Sequence, residues 1–203
     1  MSAPYAVIIA GGQGQRLGGV RKGDLRIGGV RLVERVRLAL GDVAEPLLLA
    51  TGPDGDSSAD AGLLAVPDLD GPVGGPLAGL AAAVDALQRR GVQSGVLVSV
   101  AVDTPFLPQG FAAAMAAALG DAAAVYAAWD EAFYPPNAAW RIEALGALPG
   151  QVRTGTSAPS LKALHRQLDP RRHDSRDRYE QDPFANLNTL ADLIALQRRA
   201  RNL

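Results

Sequence analysis

YAVIIAGGQGQRLGGVRKGD, residues Tyr5 to Asp24, decides the fold class. Val7, Ile8 and Ile9 form an apolar run of strand formers that ends at Ala10. Six glycines and three cations, Arg16, Arg21 and Lys22, then fill the fourteen residues to Asp24. Glycines let the backbone approach an anion and turn its N–H groups inward, while cations neutralise the charge that remains. The stretch therefore reads as a buried strand feeding a phosphate cradle. The alternative is a glycine-rich surface turn with solvated arginines, and a strand in front with cations inside the loop weighs against it. Two familiar cradles are excluded. Lys22 is followed by Gly23, so the P-loop's Lys-[Ser/Thr] pair is missing, and Leu17 stands where a dinucleotide fingerprint starting at Gly12 needs glycine or alanine.

Downstream the period changes to that of a helix. Leu32, Val33, Val36 and Leu40 recur at helical spacing before Gly41, a residue that suits a helix C-terminus. Leu47 to Ala50 and Leu63 to Val66 are short apolar runs, separated by a polar loop over residues 52–62. Pro76 to Arg90 carries Leu77, Leu80, Val84 and Leu87 on one face, and Val96 to Val102 is apolar apart from Ser99. An unbroken apolar strand is expected where a parallel sheet is covered on both faces. Strands alternating with helices predict an α/β fold, a single doubly wound, mostly parallel sheet flanked by helices, with its ligands at the carboxyl ends of the strands.

The second half is less periodic. A helix through Phe111, Met115 and Leu119 precedes an apolar run from Ala122 to Ala128, and Phe133 to Pro136 reads as a turn or an edge segment because of its prolines. Residues 169–182 read as a solvated connection with room for a short strand. The last helix is expected to place Leu190, Leu193, Ile194 and Gln197 on one side and to end in Arg198, Arg199 and Arg201, which suit the negative end of its dipole. No linker divides the chain, so residues 1–203 are expected to form one domain.

Composition excludes several classes. A net charge of −1 gives no basic excess for nucleic acid or an anionic membrane. The absence of cysteine removes disulfides, thiolate metal sites and a cysteine nucleophile. No segment reads as a signal peptide or a membrane span, and a cytoplasmic location is expected.

Two further segments carry candidate chemistry. Asp103 ends the most apolar strand, and Thr104-Pro105 breaks that strand and turns the carboxylate outward. Magnesium fits such a place, because it takes hard oxygen ligands and substrate phosphates and keeps several waters. The competing role is a cap for the helix starting near Pro108. In Pro183 to Thr189, PFANLNT, alternation puts Asn186 and Asn188 on one face together with Phe184, while Thr189 is placed to cap the final helix. Paired amides can read a heterocycle or tie down a turn, and pattern alone leaves both open.

Read as A-G-G-x-x-x-R-L-G-G-x-x-K-G, Ala10 to Gly23 resembles the signature of nucleotidyltransferases, most closely that of the molybdenum cofactor guanylyltransferase family. Val102 to Pro108 resembles that family's C-D-T-P-[FY]-[LI]-P motif, with Ala101-Val102 replacing the residues commonly found before the acid, Gly75 to Gly79 its G-P-L-A-G, and Phe184 to Thr189 its F-x-N-x-N-T. The resemblance implies transfer of GMP from GTP to the terminal phosphate of molybdopterin, with release of pyrophosphate. It implies catalytic roles for Arg16, Lys22 and Asp103, with Asp103 holding Mg2+. Nucleotide contacts are implied at Ile9, Ala10, Gly11, Gly12, Arg16, Lys22, Asp68 and Asp103, and acceptor contacts at Asn186 and Asn188. Asp70 competes with Asp68 for the acid ahead of G-P-L-A-G. The N-terminal part would bind the nucleotide and the C-terminal part the acceptor. The partners implied are GTP and molybdopterin, or molybdenum-loaded molybdopterin, with transient contact to other cofactor-assembly proteins or the recipient enzyme.

There are departures from the family pattern. Arg21 stands where an acid is usual, Ala50-Thr51-Gly52 lacks the common asparagine, Tyr134-Pro135 replaces His-Pro, and Leu190-Ala191 replaces Pro-Glu. The alternatives are a cytidylyltransferase, a sugar-phosphate nucleotidyltransferase, or a GTP-binding regulator without turnover.

Overall fold

Tyr5–Ile9 forms strand β1, and its alternating side chains enter two separate cores: Ala6 and Ile8 join one, Val7 and Ile9 the other. This period of two explains why the run is apolar throughout. The computed structural model describes residues 2–11, 13, 14, 20–53 and 62–201. Two short hairpins follow β1, formed by β2 (Gln13–Gly14) with β3 (Val20–Arg21) and by β4 (Arg26–Ile27) with β5 (Val30–Arg31). The remaining elements are α1 (Leu32–Leu40), β6 (Leu47–Ala50), β7 (Leu63–Val66), α2 (Pro76–Gln88), β8 (Val96–Ala101), α3 (Phe111–Leu119), β9 (Ala124–Trp129), β10 (Ala132–Arg141), α4 (Leu148–Thr154), α5 (Leu161–Leu168), β11 (Arg171–Asp174) and α6 (Leu190–Arg201).

Seven strands form one sheet in the order β11-β9-β10-β8-β1-β6-β7. Strand β10 runs antiparallel to both of its neighbours, and the remaining pairings are parallel. Apolar residues of α1, α3 and α6 fill one face, and those of α2, α4 and α5 fill the other. The expected doubly wound, mostly parallel sheet is what the chain forms. No described helix is long and apolar enough to cross a membrane.

Two expectations about elements need correction. Phe133 to Pro136 is neither a turn nor an edge but lies inside β10, between β8 and β9. The prolines are tolerated because the β9–β10 register shifts between Tyr134 and Ala138 and the β8–β10 pairing stops at Ala138, so the interrupted ladders make no demand for their missing N–H groups. In α6 the inward residue is Leu196, with Leu193 and Ala200 packed beside the core, whereas Leu190 and Ile194 are 62% and 47% exposed. The helix is rotated by polar contacts: Gln197 accepts from the Gly28 N–H and donates to the Arg26 carbonyl, and the Arg199 guanidinium lies 4.2 Å from the Phe106 ring centroid.

Candidate active site

The carboxyl ends of β1, β6, β7 and β8 meet at one edge of the sheet, and hydrogen bonds continue past the strands. Ala10 N–H donates to the Ala50 carbonyl at 2.8 Å, Thr51 N–H to Val66 at 3.1 Å, and Asp68 N–H to Gly52 at 3.1 Å. The first loop lies against the second. A Cβ on Gly11 would stand 2.8 Å from the Gly52 Cα, so no larger residue fits there. A Cβ on Gly79, in the first turns of α2, would meet Ala50 Cβ at 3.0 Å and Asp68 Oδ1 at 3.6 Å. Glycines thus let the two loops and the start of α2 pack closely at this corner. Asp68 is half-buried, and burial raises its carboxyl above the usual range, whereas Asp70 is exposed.

Asp103 follows β8 at a tightly held corner. Val102 N–H donates to the Ile9 carbonyl at 3.1 Å, Thr104 Oγ1 donates to the Ala101 carbonyl at 2.7 Å, and Leu187 N–H donates to the Asp103 carbonyl at 2.9 Å. The Asp103 side chain does not cap α3, which begins at Phe111 after Gly110. Its Oδ2 instead accepts from Lys22 Nζ at 2.7 Å, and the same ammonium donates to Asn188 Oδ1 at 2.8 Å. Residues from the glycine loop, the strand end and the PFANLNT segment therefore meet at a single cation. The Asp103 and Lys22 side chains are 14% and 19% exposed, enough shielding to strengthen the pair without sealing it off.

Segment 183–189 is anchored by buried Phe184 and Leu187, while Asn186 and Asn188 face outward. The two amides share an exposed side as expected, but Phe184 is buried because it lies in the turn at Pro183-Phe184, outside the alternation. Thr189 Oγ1 accepts from Asp192 N–H at 3.2 Å, and an Asp192 carboxylate oxygen accepts in return from the N–H groups of Asn188 and Thr189. This reciprocal cap, with Asn188 N–H the largest contributor, holds the Asp192 carboxyl below its usual range. The Thr189-x-x-Asp192 spacing was a readable signal for it.

Two backbone groups of the residues expected to contact the nucleotide are already engaged within the protein, Ile9 O with Val102 and Ala10 N–H with Ala50. Arg16 and Gly12 lie outside the described residues. Among the described residues no group of three or more His, Cys, Asp or Glu side chains could enclose a metal. A lone Asp103 carboxylate at the mouth of a phosphate loop still fits a divalent ion that takes most of its ligands from substrate phosphates and water. Two buried polar residues also serve the corner: Thr104 of the D-T-P motif and Asn137 of β10, which had no sequence signal.

Residues 6–171 match the family described as MobA-like NTP transferase domain. The chain is 34% identical to a molybdenum cofactor guanylyltransferase from Rhodobacter capsulatus, over 96% of this chain and 95% of that protein. Among solved structures it resembles molybdopterin-guanine dinucleotide biosynthesis protein A from Archaeoglobus fulgidus, with a TM-score of 0.70, 20% identity and coverage of 98% and 100% of the two chains. It also resembles 2-C-methyl-D-erythritol 4-phosphate cytidylyltransferase from Thermus thermophilus, with a TM-score of 0.68, 20% identity and coverage of 99% and 100%. At that identity the likeness extends to the fold alone, and the sequence relation carries the assignment. The chain belongs to the MobA-like NTP transferase family and, within it, to the molybdenum cofactor guanylyltransferases.

Proposed function

We propose that this nucleotidyltransferase moves GMP from GTP to the terminal phosphate of molybdopterin and releases pyrophosphate. The observation that carries the reading is the meeting of Lys22, Asp103 and Asn188, which joins the phosphate loop, a strand-end carboxylate and the C-terminal amide segment. An acceptor phosphate oxygen attacks the α-phosphorus in line, the bond from that phosphorus to the β-phosphate oxygen breaks, and pyrophosphate leaves with the electron pair. No covalent enzyme intermediate is required.

Lys22 exchanges its contact with Asp103 for the phosphates and offsets negative charge as the transition state forms, and Arg16 shares this work. Asp103 is the residue that would hold Mg2+, which would supply Lewis-acid neutralisation of the phosphate oxygens. Asp68 with Ile9, Ala10, Gly11 and Gly12 receives the nucleoside, and Asn186 and Asn188 receive the acceptor. The N-terminal part thus serves the nucleotide and the C-terminal part the acceptor within one domain, in a cytoplasmic enzyme.

Pyrophosphate release tests the reading. It should require GTP, a divalent metal and molybdopterin together. GTP binding without acceptor-dependent pyrophosphate would identify a silent nucleotide binder, and faster turnover with CTP would move the chain to the cytidylyl branch.

A further inference from the structure

Beside Asp103, strand β10 is unable to complete an ordinary ladder with β8. Their register pairs Ala138 with Ser99 and Trp140 with Leu97, and its continuation would set Pro136 opposite Ala101. Proline has no N–H to donate, and the Pro136 carbonyl accepts instead from Ser99 Oγ at 2.7 Å. The Ala101 N–H is taken by a side chain, donating to Asn137 Oδ1 at 2.8 Å. The Ala101 carbonyl is taken by Thr104 Oγ1. Two side chains therefore replace ladder bonds at the residue where β8 turns toward Asp103.

Asn137 is an unusual choice for that task. It is 1% exposed, and among the described residues its Nδ2 has no partner. A buried amide donor without a partner is destabilising, so an apolar side chain of similar size would suit the core better. What the amide provides is an acceptor fixed at the Ala101 N–H. That bond sets the direction of the peptides leading through Val102 to the carboxylate.

We propose that Asn137 is a positioning residue: by bonding the Ala101 amide in place of the interrupted β10 ladder, it fixes the strand end that aims the Asp103 carboxylate at the metal and phosphates. The inference rests on the role assigned to Asp103 above. The test compares Asn137→Leu with Asp103→Asn through three readouts: hydrogen exchange at the Ala101 amide, calorimetric Mn2+ binding in the presence of GTP, and acceptor-dependent turnover.

Asn137→Leu should speed exchange at Ala101 by at least tenfold, weaken Mn2+ binding about tenfold and lower kcat by a similar factor, with the KM for GTP within twofold of the parent. Because Asn137 acts through Asp103, adding Asn137→Leu to Asp103→Asn should produce no further loss of metal binding. Faster exchange with unchanged metal binding and kcat would reduce Asn137 to a strand staple and overturn the proposal. If Asp103→Asn itself keeps parental metal binding, the role of Asp103 falls instead. Should Asn137→Leu fold too weakly to assay, Asn137→Asp keeps an oxygen at the same place. It should preserve slow exchange at Ala101 and most of the metal binding, and loss of metal binding despite slow exchange would contradict the proposal.

Discussion

Lys22 ties three segments together at one side chain: its ammonium sits between the Asp103 carboxylate and the Asn188 amide. Lys22→Ala should lower turnover by on the order of 10²-fold or more, because charge stabilisation in the transition state is lost. The partly shielded pair should cost only about 1–2 kcal/mol of stability, between the limits for exposed and buried pairs. Parallel turnover and denaturant measurements check both, and turnover within about twofold of the parent would contradict the role. Asp103→Asn keeps the shape of the corner but replaces a charged oxygen ligand with an amide, so metal-dependent turnover should vanish while the melting temperature changes little. Lys22 and Asp103 were legible as single residues because a cation in a glycine loop and an acid after an apolar strand are local patterns. Their direct contact was not, since 81 positions separate them and only the β1–β8 pairing brings them together.

At the scale of elements, the apolar period located β1, α1, β6, β7, α2, β8 and α3, whereas α4, α5 and the two short hairpins went unread, and two readings failed where tertiary contacts override pattern. Strand β10 absorbs two prolines because its ladder is interrupted, and α6 turns a different face inward because Gln197 and Arg199 tie it down. The two asparagines of the segment before α6 should now separate. Asn186→Ala should weaken only acceptor binding, by about tenfold or less for one polar contact of 0.5–1.5 kcal/mol. Asn188→Ala should also reduce kcat, because it releases Lys22, and separate titrations of GTP and acceptor distinguish the two variants. Thr189 must stay in both, since its cap contributes about 1 kcal/mol.

Helix α5 supplies a pH test. His165 stacks on Trp140 with ring centroids 4.2 Å apart, and its Nε2 is 3.0 Å from the Pro135 carbonyl. Burial pushes the imidazole down to about 4. As pH falls, the unfolded chain takes up the proton first, near the ordinary value of about 6.5. The neutral imidazole therefore contributes stability fully above that value, and the contribution declines between about pH 6.5 and 4. One pKa unit corresponds to about 1.4 kcal/mol, so the decline should reach about 3 kcal/mol. Subtracting the denaturation curves of His165→Phe from those of the parent isolates it. A difference that does not change across this window would show that His165 titrates normally in the folded protein.

For the whole molecule, the doubly wound sheet explains why residues from positions 22, 103 and 188 meet, with Asp68 further along the same edge: parallel strands deliver their carboxyl ends to one edge, and the last segment reaches Asp103 there before α6. The fold alone does not choose the nucleotide, since a cytidylyltransferase shares it. The sequence relation to guanylyltransferases makes GTP the expected nucleotide, read through the backbone of Ile9 to Gly12 without an asparagine side chain at the end of β6, and GTP should compete better than CTP or ATP. Equal competition by all three would count against that readout. The most direct test of the central claim follows the α-phosphate itself. The protein is given α-labelled GTP, Mg2+ and molybdopterin, and the label is traced by chromatography and mass spectrometry. The account predicts that it appears in a molybdopterin–guanine dinucleotide in equal amount to the pyrophosphate released. Label that stays in GTP, or emerges as free GMP whether or not the acceptor is present, would contradict it.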